Sequence, residues 1–147
     1  MKYANPLICL LFASCLTVPA YAAPNNWGKS DTMAGVEQKI EAKQYEAAIA
    51  ELKTIVAKDD DNADAFNLLG FSNRKLKRYD VAEEYYQKAL TLNPKHKGAM
   101  EYLGELYVET NRMDEANAML ARLDKACFLT CDEYKTLKSK IDSHAGL

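Results

Sequence analysis

The sequence predicts an all-α fold: an α-solenoid of three helical hairpins closed by one further helix at the C-terminal end. Three observations carry that prediction. A fixed period of 34 residues links Tyr45 to Tyr79, Gly70 to Gly104 and Ala82 to Ala116. A period of that length marks stacked units, each covering the apolar face of its neighbour. Within each period the apolar residues recur at helical spacing, and helix stop signals such as Pro94 and Asn111 fall between the apolar runs. With 147 residues, 48% hydrophobic and 27% charged, the chain is sized and composed for one small domain.

The first 22 residues read as a secretory signal peptide. Lys2 supplies the positive n-region, Leu7 to Val18 the apolar h-region, and Ala20-Tyr21-Ala22 the small-x-small cleavage site. The apolar run is too short for a membrane span, which needs roughly 20 residues. A rival reading rests on Ala13-Ser14-Cys15, which matches the end of a lipoprotein cleavage box and would tether the chain to a membrane through Cys15. Against it, Phe12 stands where Leu or Val is expected, and the residues after Cys15 stay apolar. Cleavage after Ala22 removes Cys9, Cys15 and Lys2, so the formal charge moves from −2 to −3 and two cysteines remain. The expected location is the periplasm of a Gram-negative bacterium. Residues 23–29, with Pro24, two Asn and Gly28, read as a mobile lead-in.

The hairpins are expected over residues 30–62, 63–96 and 97–126, with helices at about 31–42, 46–57, 62–75, 79–91, 97–109 and 113–125. Counting Ala63 as position 1, the middle unit places Phe66 at 4, Leu69 and Gly70 at 7 and 8, Asn73 at 11, Ala82 at 20, Tyr86 at 24, Ala89 at 27 and Pro94 at 32. The next unit repeats the frame with Met100, Leu103, Gly104, Tyr107, Ala116, Leu120 and Leu123. The first unit is a weaker copy, with Ala48, Leu52 and Ile55 on its second helix but Gly35 and Val36 where a large residue and then Gly are expected. End units deviate because one of their sides has no neighbour. Gly70 and Gly104 are read as permitting close approach of the two helices of a hairpin, where Ala82 and Ala116 present a methyl group. Asn62 is placed to cap the helix from Ala63, and Asn111 suits a left-handed stop. Tyr45, Tyr79, Tyr85, Tyr86, Tyr102 and Tyr107 are read as packing residues.

Residues 127–147 follow as a pinned capping helix and tail. Tyr134, Leu137 and Ile141 lie at helical spacing, and Thr130 with Glu133 reads as a capping box that starts this helix near Cys131. Cys127 and Cys131 could be a metal half-site, a redox pair or a structural disulfide. Zinc needs four ligands, and only His96 and His144 could join them; a thioredoxin-type centre prefers two intervening residues and a βαβ setting. A structural disulfide is therefore expected, contributing about 2 kcal/mol for so short a loop. A thiol–disulfide redox role is the alternative.

The 34-residue frame resembles tetratricopeptide repeat (TPR) proteins across residues 30–126, departing from their pattern with Phe66 in place of Trp and Asn73 in place of Tyr. The CxxxC and following helix resemble small exported bacterial members. The resemblance implies a right-handed superhelix that binds a peptide segment or a helix in a concave groove lined by the first helix of each hairpin. Carried onto this sequence, the groove residues are Asn67, Phe71, Arg74 and Lys75 on one unit and Glu101, Tyr102, Glu105 and Glu109 on the next. Asp64 and Val108 complete the set. Phe71 is either an anchor for a ligand or a packing residue. Arg74 and Lys75 are placed to pair with Glu105 and Glu109 as a solvated face contributing roughly 0–1 kcal/mol. The Lys and Asn set that some members use for a terminal carboxylate is absent, since Asn67 and Glu101 hold position 5 and Phe71 and Glu105 position 9.

The expected function is therefore an exported scaffold or interaction module with a protein partner and no cofactor or metal. A self-associating structural envelope protein, stacking through its irregular first unit, is the alternative. The mild acidity argues against nucleic acid, and no Gly-rich phosphate loop or Ser/His/Asp set suggests an enzyme.

Overall fold

The computed structural model describes residues 33–146, so the signal segment, Cys9, Cys15, the lead-in and the start of the first hairpin lie outside the described residues. Seven helices run in order: α1 (Met33–Glu41), α2 (Tyr45–Lys58), α3 (Ala63–Lys75), α4 (Tyr79–Leu92), α5 (Lys97–Glu109), α6 (Met113–Ala126) and α7 (Asp132–His144). Among the described residues there is no strand. The helices pair as α1–α2, α3–α4 and α5–α6; α3 also packs on α2 and α5, and α7 packs on α5 and α6. The result is the all-α solenoid of three hairpins and a capping helix that the period predicts.

The turns repeat as faithfully as the helices do. Lys43, Lys77 and Asn111, spaced at the repeat period, hold φ of 58°, 60° and 60° and end α1, α3 and α5 in the left-handed conformation. In each, two backbone bonds reach back over the last turn: Lys77 N to Arg74 O at 2.8 Å and Arg78 N to Asn73 O at 3.0 Å in the middle unit, and Asn111 N to Val108 O and Arg112 N to Tyr107 O in the next. This is the Schellman closure, which satisfies carbonyls the helix end leaves open. Glycine or asparagine is the usual residue for it; two lysines serve here because their side chains extend into solvent. The entry to each next hairpin is capped from one place in the frame: Asn62 Oδ1 accepts from Ala65 N at 2.9 Å, and His96 Nδ1 accepts from Ala99 N at 3.2 Å. The other ring nitrogen, Nε2, lies 2.9 Å from Asp64 Oδ1, which sets the start of α5 beside that of α3.

The core runs the length of the stack, through Val36, Ala48, Leu52, Leu69, Ala82, Tyr86, Ala89, Leu103, Ala116, Leu123 and Leu137, all buried. Two arginines reach back to the preceding hairpin on its second-helix side: Arg78 to Glu46, and Arg112 to Glu83 at 2.6 Å. Tyr107 donates to the same Glu83 at 2.9 Å, beneath the Arg112 guanidinium.

Three local expectations need correction. The room left by Gly70 is taken by the ring of Tyr86, not by the methyl of Ala82: a Cβ on Gly70 would sit 2.6 Å from two ring carbons. Gly104 likewise receives Leu137 of α7, 2.4 Å from where its Cβ would be, rather than Ala116 of its own hairpin. The capping box at α7 is not formed. Cys131, extended at φ −101° and ψ 165°, is the N-cap, with no side-chain bond. Thr130 and Glu133 are then each one place short of reciprocal bonding, and Asp132 and Glu133 favour the helix start through its dipole. Cys127 and Cys131 are joined in a disulfide.

Alpha7 also proves to be in frame with the hairpins. Tyr134, Leu137 and Ile141 occupy the places of Phe66, Leu69 and Asn73, so α7 is a further first helix. Where the second and third hairpins have glycine it has Lys138, exposed and paired with Asp142 at 2.7 Å.

Gly70→Ala should lower stability by about 1–2 kcal/mol in urea unfolding, since overpacking against Tyr86 outweighs the helix propensity gained. Gly98→Ala, whose Cβ would meet nothing closer than 3.4 Å, should be neutral or stabilising.

Candidate functional site

The face built by the first helices α3 and α5 brings most of the predicted groove residues together, but in a different arrangement from a solvated groove wall. Arg74 is buried, with 2% of its surface exposed, and its guanidinium pairs with Glu105 at 2.7 Å and Glu109 at 2.6 Å across the repeat boundary. Glu105 is buried as well and takes a weaker contact from Lys140 of α7 at 3.8 Å. The expectation of a solvated charge pair is corrected: α3 and α5 are strapped together through one buried arginine, and α7 joins through Lys140 on Glu105. The reason is the frame. Position 12 of one first helix lies over positions 9 and 13 of the next, and the rings of Phe71, Tyr86 and Tyr102 shut water out around it.

Burial tends to lower the Arg74 guanidinium, but Tyr86, Glu105 and Glu109 outweigh it and hold the cation firmly charged. Tyr86, buried beside it, has its hydroxyl pushed far up by that burial, with Arg74 opposing.

Phe71 is half-buried between two tyrosines, 5.0 Å from the Tyr102 ring and 6.4 Å from Tyr45 of α2, edge on. Arg74 lies 5.7 Å from the Phe71 centroid and 5.6 Å from that of Tyr102. Phe71 therefore packs against neighbouring helices while leaving part of its ring open. Lys75 does not pair with Glu105 or Glu109; its Nζ sits 5.0 Å over the Phe71 ring, and the side chain is exposed. Asn67 is turned inward, 6% exposed, its amide against Gly98 and its Oδ1 without a hydrogen bond among the described residues. Val108 is buried, and Asp64 is exposed and lies 2.9 Å from His96 Nε2.

Glu101 is the unusual group. It is half-buried and has no ion pair among the described residues. Burial, then the like charges of Glu105 and Glu133, push its carboxyl up to about 7, against Arg74 and Lys140. Tyr102 is raised too, by burial first and then by Glu101 and Glu105. Glu133 and Lys140 belong to α7, and Tyr45 to α2; these are the members of the site that sequence reasoning missed. The signal available for the α7 pair was the continuation of the frame into that helix. Of the eight named groove residues, Asn67, Arg74 and Glu105 are buried supports, while Phe71, Lys75, Glu101, Tyr102 and Glu109 retain an open surface.

The arrangement is one for contact. Rings, amides and charges are presented on rigid helices, and among the described residues no three His, Cys, Asp or Glu side chains are grouped to hold a metal.

Removing Arg74 leaves Glu105 buried without its close partner, so Arg74→Ala should cost about 3–5 kcal/mol in chemical denaturation. Most of that loss should be recovered when Glu105→Met is combined with Arg74→Met. A second expectation concerns pH. Folding holds the Glu101 proton above the usual carboxylate range, so its contribution is fully present at acid pH and is lost as pH rises through about 7. Glu101→Gln should therefore be more stable than wild type in urea melts at pH 8, and the difference should shrink toward pH 5.

Comparison with known proteins agrees with this architecture. Two profiles described as "Tetratricopeptide repeat" match residues 39–97 and 74–141. The chain is 34% identical over 148 aligned residues to the DnaJ protein P58IPK homolog A of Oryza sativa subsp. japonica. That alignment takes in 99% of this chain and 28% of the relative, so the chain spans under a third of its length. Among solved structures, the Yersinia enterocolitica type III secretion chaperone SycD in complex with a peptide of the translocator YopD superposes with a TM-score of 0.66 at 18% identity, over 77% of this chain and 86% of that one. The second TPR domain of human RPAP3 in complex with an HSP70 peptide gives 0.66 at 20% identity, over 74% and 90%. With the repeat frame, its hairpins and these matches in agreement, the chain belongs to the tetratricopeptide repeat family.

Proposed function

We propose that this chain is an exported, non-enzymatic interaction module that holds a segment of a partner protein, an extended peptide or a helix, along the face of α3 and α5. The observation that carries the reading is the part-open aromatic pair of Phe71 and Tyr102, seated on the buried Arg74 pairing and flanked by Lys75, Glu101 and Glu109. Half-buried rings offer apolar contact area with little side-chain entropy left to lose, and a rigid support lowers the cost of binding further. The charged rim around them would select the register of the segment. Two of the similar structures hold peptides, which supports a peptide as the class of ligand. Glu105 and Phe71 at position 9 do not suit a terminal carboxylate, so an internal segment is the better fit.

Export rests on Lys2, the apolar run from Leu7 and Ala20-Tyr21-Ala22, and the periplasm of a Gram-negative cell is the compartment we infer.

The test places a photo-crosslinking residue at Lys75 or Glu109 on the groove face, and at Lys88 on the second-helix side, in native cells. Capture of one defined segment from the first two sites only, with binding of that purified segment weakened at least tenfold by Phe71→Ala with Tyr102→Ala, is the expected result. Equal capture from Lys88, or binding indifferent to the aromatic pair, would sink the groove. Mass spectrometry of the chain recovered from the same cells should show an N-terminus at Ala23.

A further inference from the structure

The loop between α6 and α7 presents a feature that the groove does not use. The disulfide of Cys127 and Cys131 closes a five-residue tip, and on it Phe128 is 95% and Leu129 84% exposed, with Leu129 at φ 63°. Among the described residues, Val81, at 41%, is the other exposed large apolar side chain. A branched residue in the left-handed region is uncommon, and here it turns two adjacent apolar side chains outward instead of back onto the hairpin.

A cleft of about 190 Å³ opens on the same end of the molecule, lined by Pro94, Met100 and Ala126 and rimmed by Lys95, Arg122 and Lys125. An apolar cavity of roughly 150 Å³ suffices for a benzene ring. Ala126 lines the cleft and Phe128 follows two residues later, so one segment of chain supplies both a knob and a wall of the hole. A surface carrying both can meet its own copy about a two-fold axis, each knob entering the other's hole. The charges agree with that pairing. Asp124 lies beside the knob, with Asp132 paired to Lys135 at 3.1 Å, while the rim of the hole is cationic, and a cationic rim favours the face of an inserted ring.

We propose that the disulfide-closed tip is a self-association site, in which Phe128 and Leu129 of one copy seat in the Pro94, Met100 and Ala126 cleft of a second copy, and reciprocally. The site is separate from the face of α3 and α5 and stands whether or not that face binds a segment. Two side chains per copy make a small contact, so the dimer is concentration-dependent, and each knob-in-hole contact contributes part of it.

Sedimentation velocity of the oxidised chain, from micromolar to submillimolar concentration, tests it. A monomer–dimer equilibrium is expected. Phe128→Ser with Leu129→Ser should weaken it at least tenfold, and Lys95→Glu with Lys125→Glu by a similar factor. Mixing these two variants should restore part of the association, because one intact knob still meets one intact hole. Circular dichroism should show unchanged helicity, since all four positions are exposed. A wild-type chain that stays monomeric throughout, or a dimer indifferent to the loss of Phe128 and Leu129, overturns the proposal. So does a monomer that sediments with phosphatidylcholine vesicles in a Phe128-dependent way, which would give the tip to lipid instead.

Discussion

The close approach at Gly70 is the constraint from which the middle of the molecule follows. With no side chain there, the Tyr86 ring packs against α3, where its buried side chain sits beside Arg74. The rings of Phe71 and Tyr102 lie 5.7 and 5.6 Å from the same guanidinium, which is buried, so water cannot compensate its charge. Arg74 must then find its partners in protein, and it finds them on the next unit, in Glu105 and Glu109. A packing decision inside one hairpin thus becomes an electrostatic bond between two. Alpha5 passes the order on through Gly104, which admits Leu137 and seats α7. The stack is held by apolar burial, as repeat proteins are, but its register at the α3–α5 boundary is fixed by a buried ion pair, the role for which such costly pairs are best suited.

Much of the architecture was legible in the sequence because a 34-residue period is a strong signal that survives substitution at any single position. Helix limits, the Asn62 cap, the left-handed Asn111 and the joined cysteines all follow from local chemistry. What escaped has a common cause: it depends on distances between units. Arg74 looks like a surface charge until Glu105 of α5 is placed 2.7 Å away, and nothing in its own helix says that it will be buried. Gly104 looks equivalent to Gly70, yet the side chain it admits comes from the capping helix. The turn lysines at 43 and 77 were hidden for the opposite reason: the backbone closure there is so regular that the residue type matters less than its place in the frame.

The site shows the same division. Rings and charges were found from their positions, but which were supports and which were surface could not be read from residue type. Asn67, Arg74 and Glu105, polar and apparently available, are buried, while Phe71, the most apolar of the set, keeps part of its ring open. Polar residues hold this face together and an aromatic pair presents it. That inversion also accounts for Glu101, a carboxylate drawn into a region where the one strong cation is already committed to its neighbours.

The in-frame character of α7 has a consequence for assembly. A repeat stack has an inherent hazard, because the face that receives the next unit can equally receive another molecule, and head-to-tail contact of that kind does not close and runs on into fibres. Here the helix that continues the frame carries a lysine where the glycines stand, and its outer surface is laced by the Lys135–Asp132 and Lys138–Asp142 pairs. A hydrated, charge-saturated end face cannot be stacked upon without stripping those ions of water. Stacking along the axis is thereby disfavoured at the outer face of α7, and the association proposed for the neighbouring tip does not use that face.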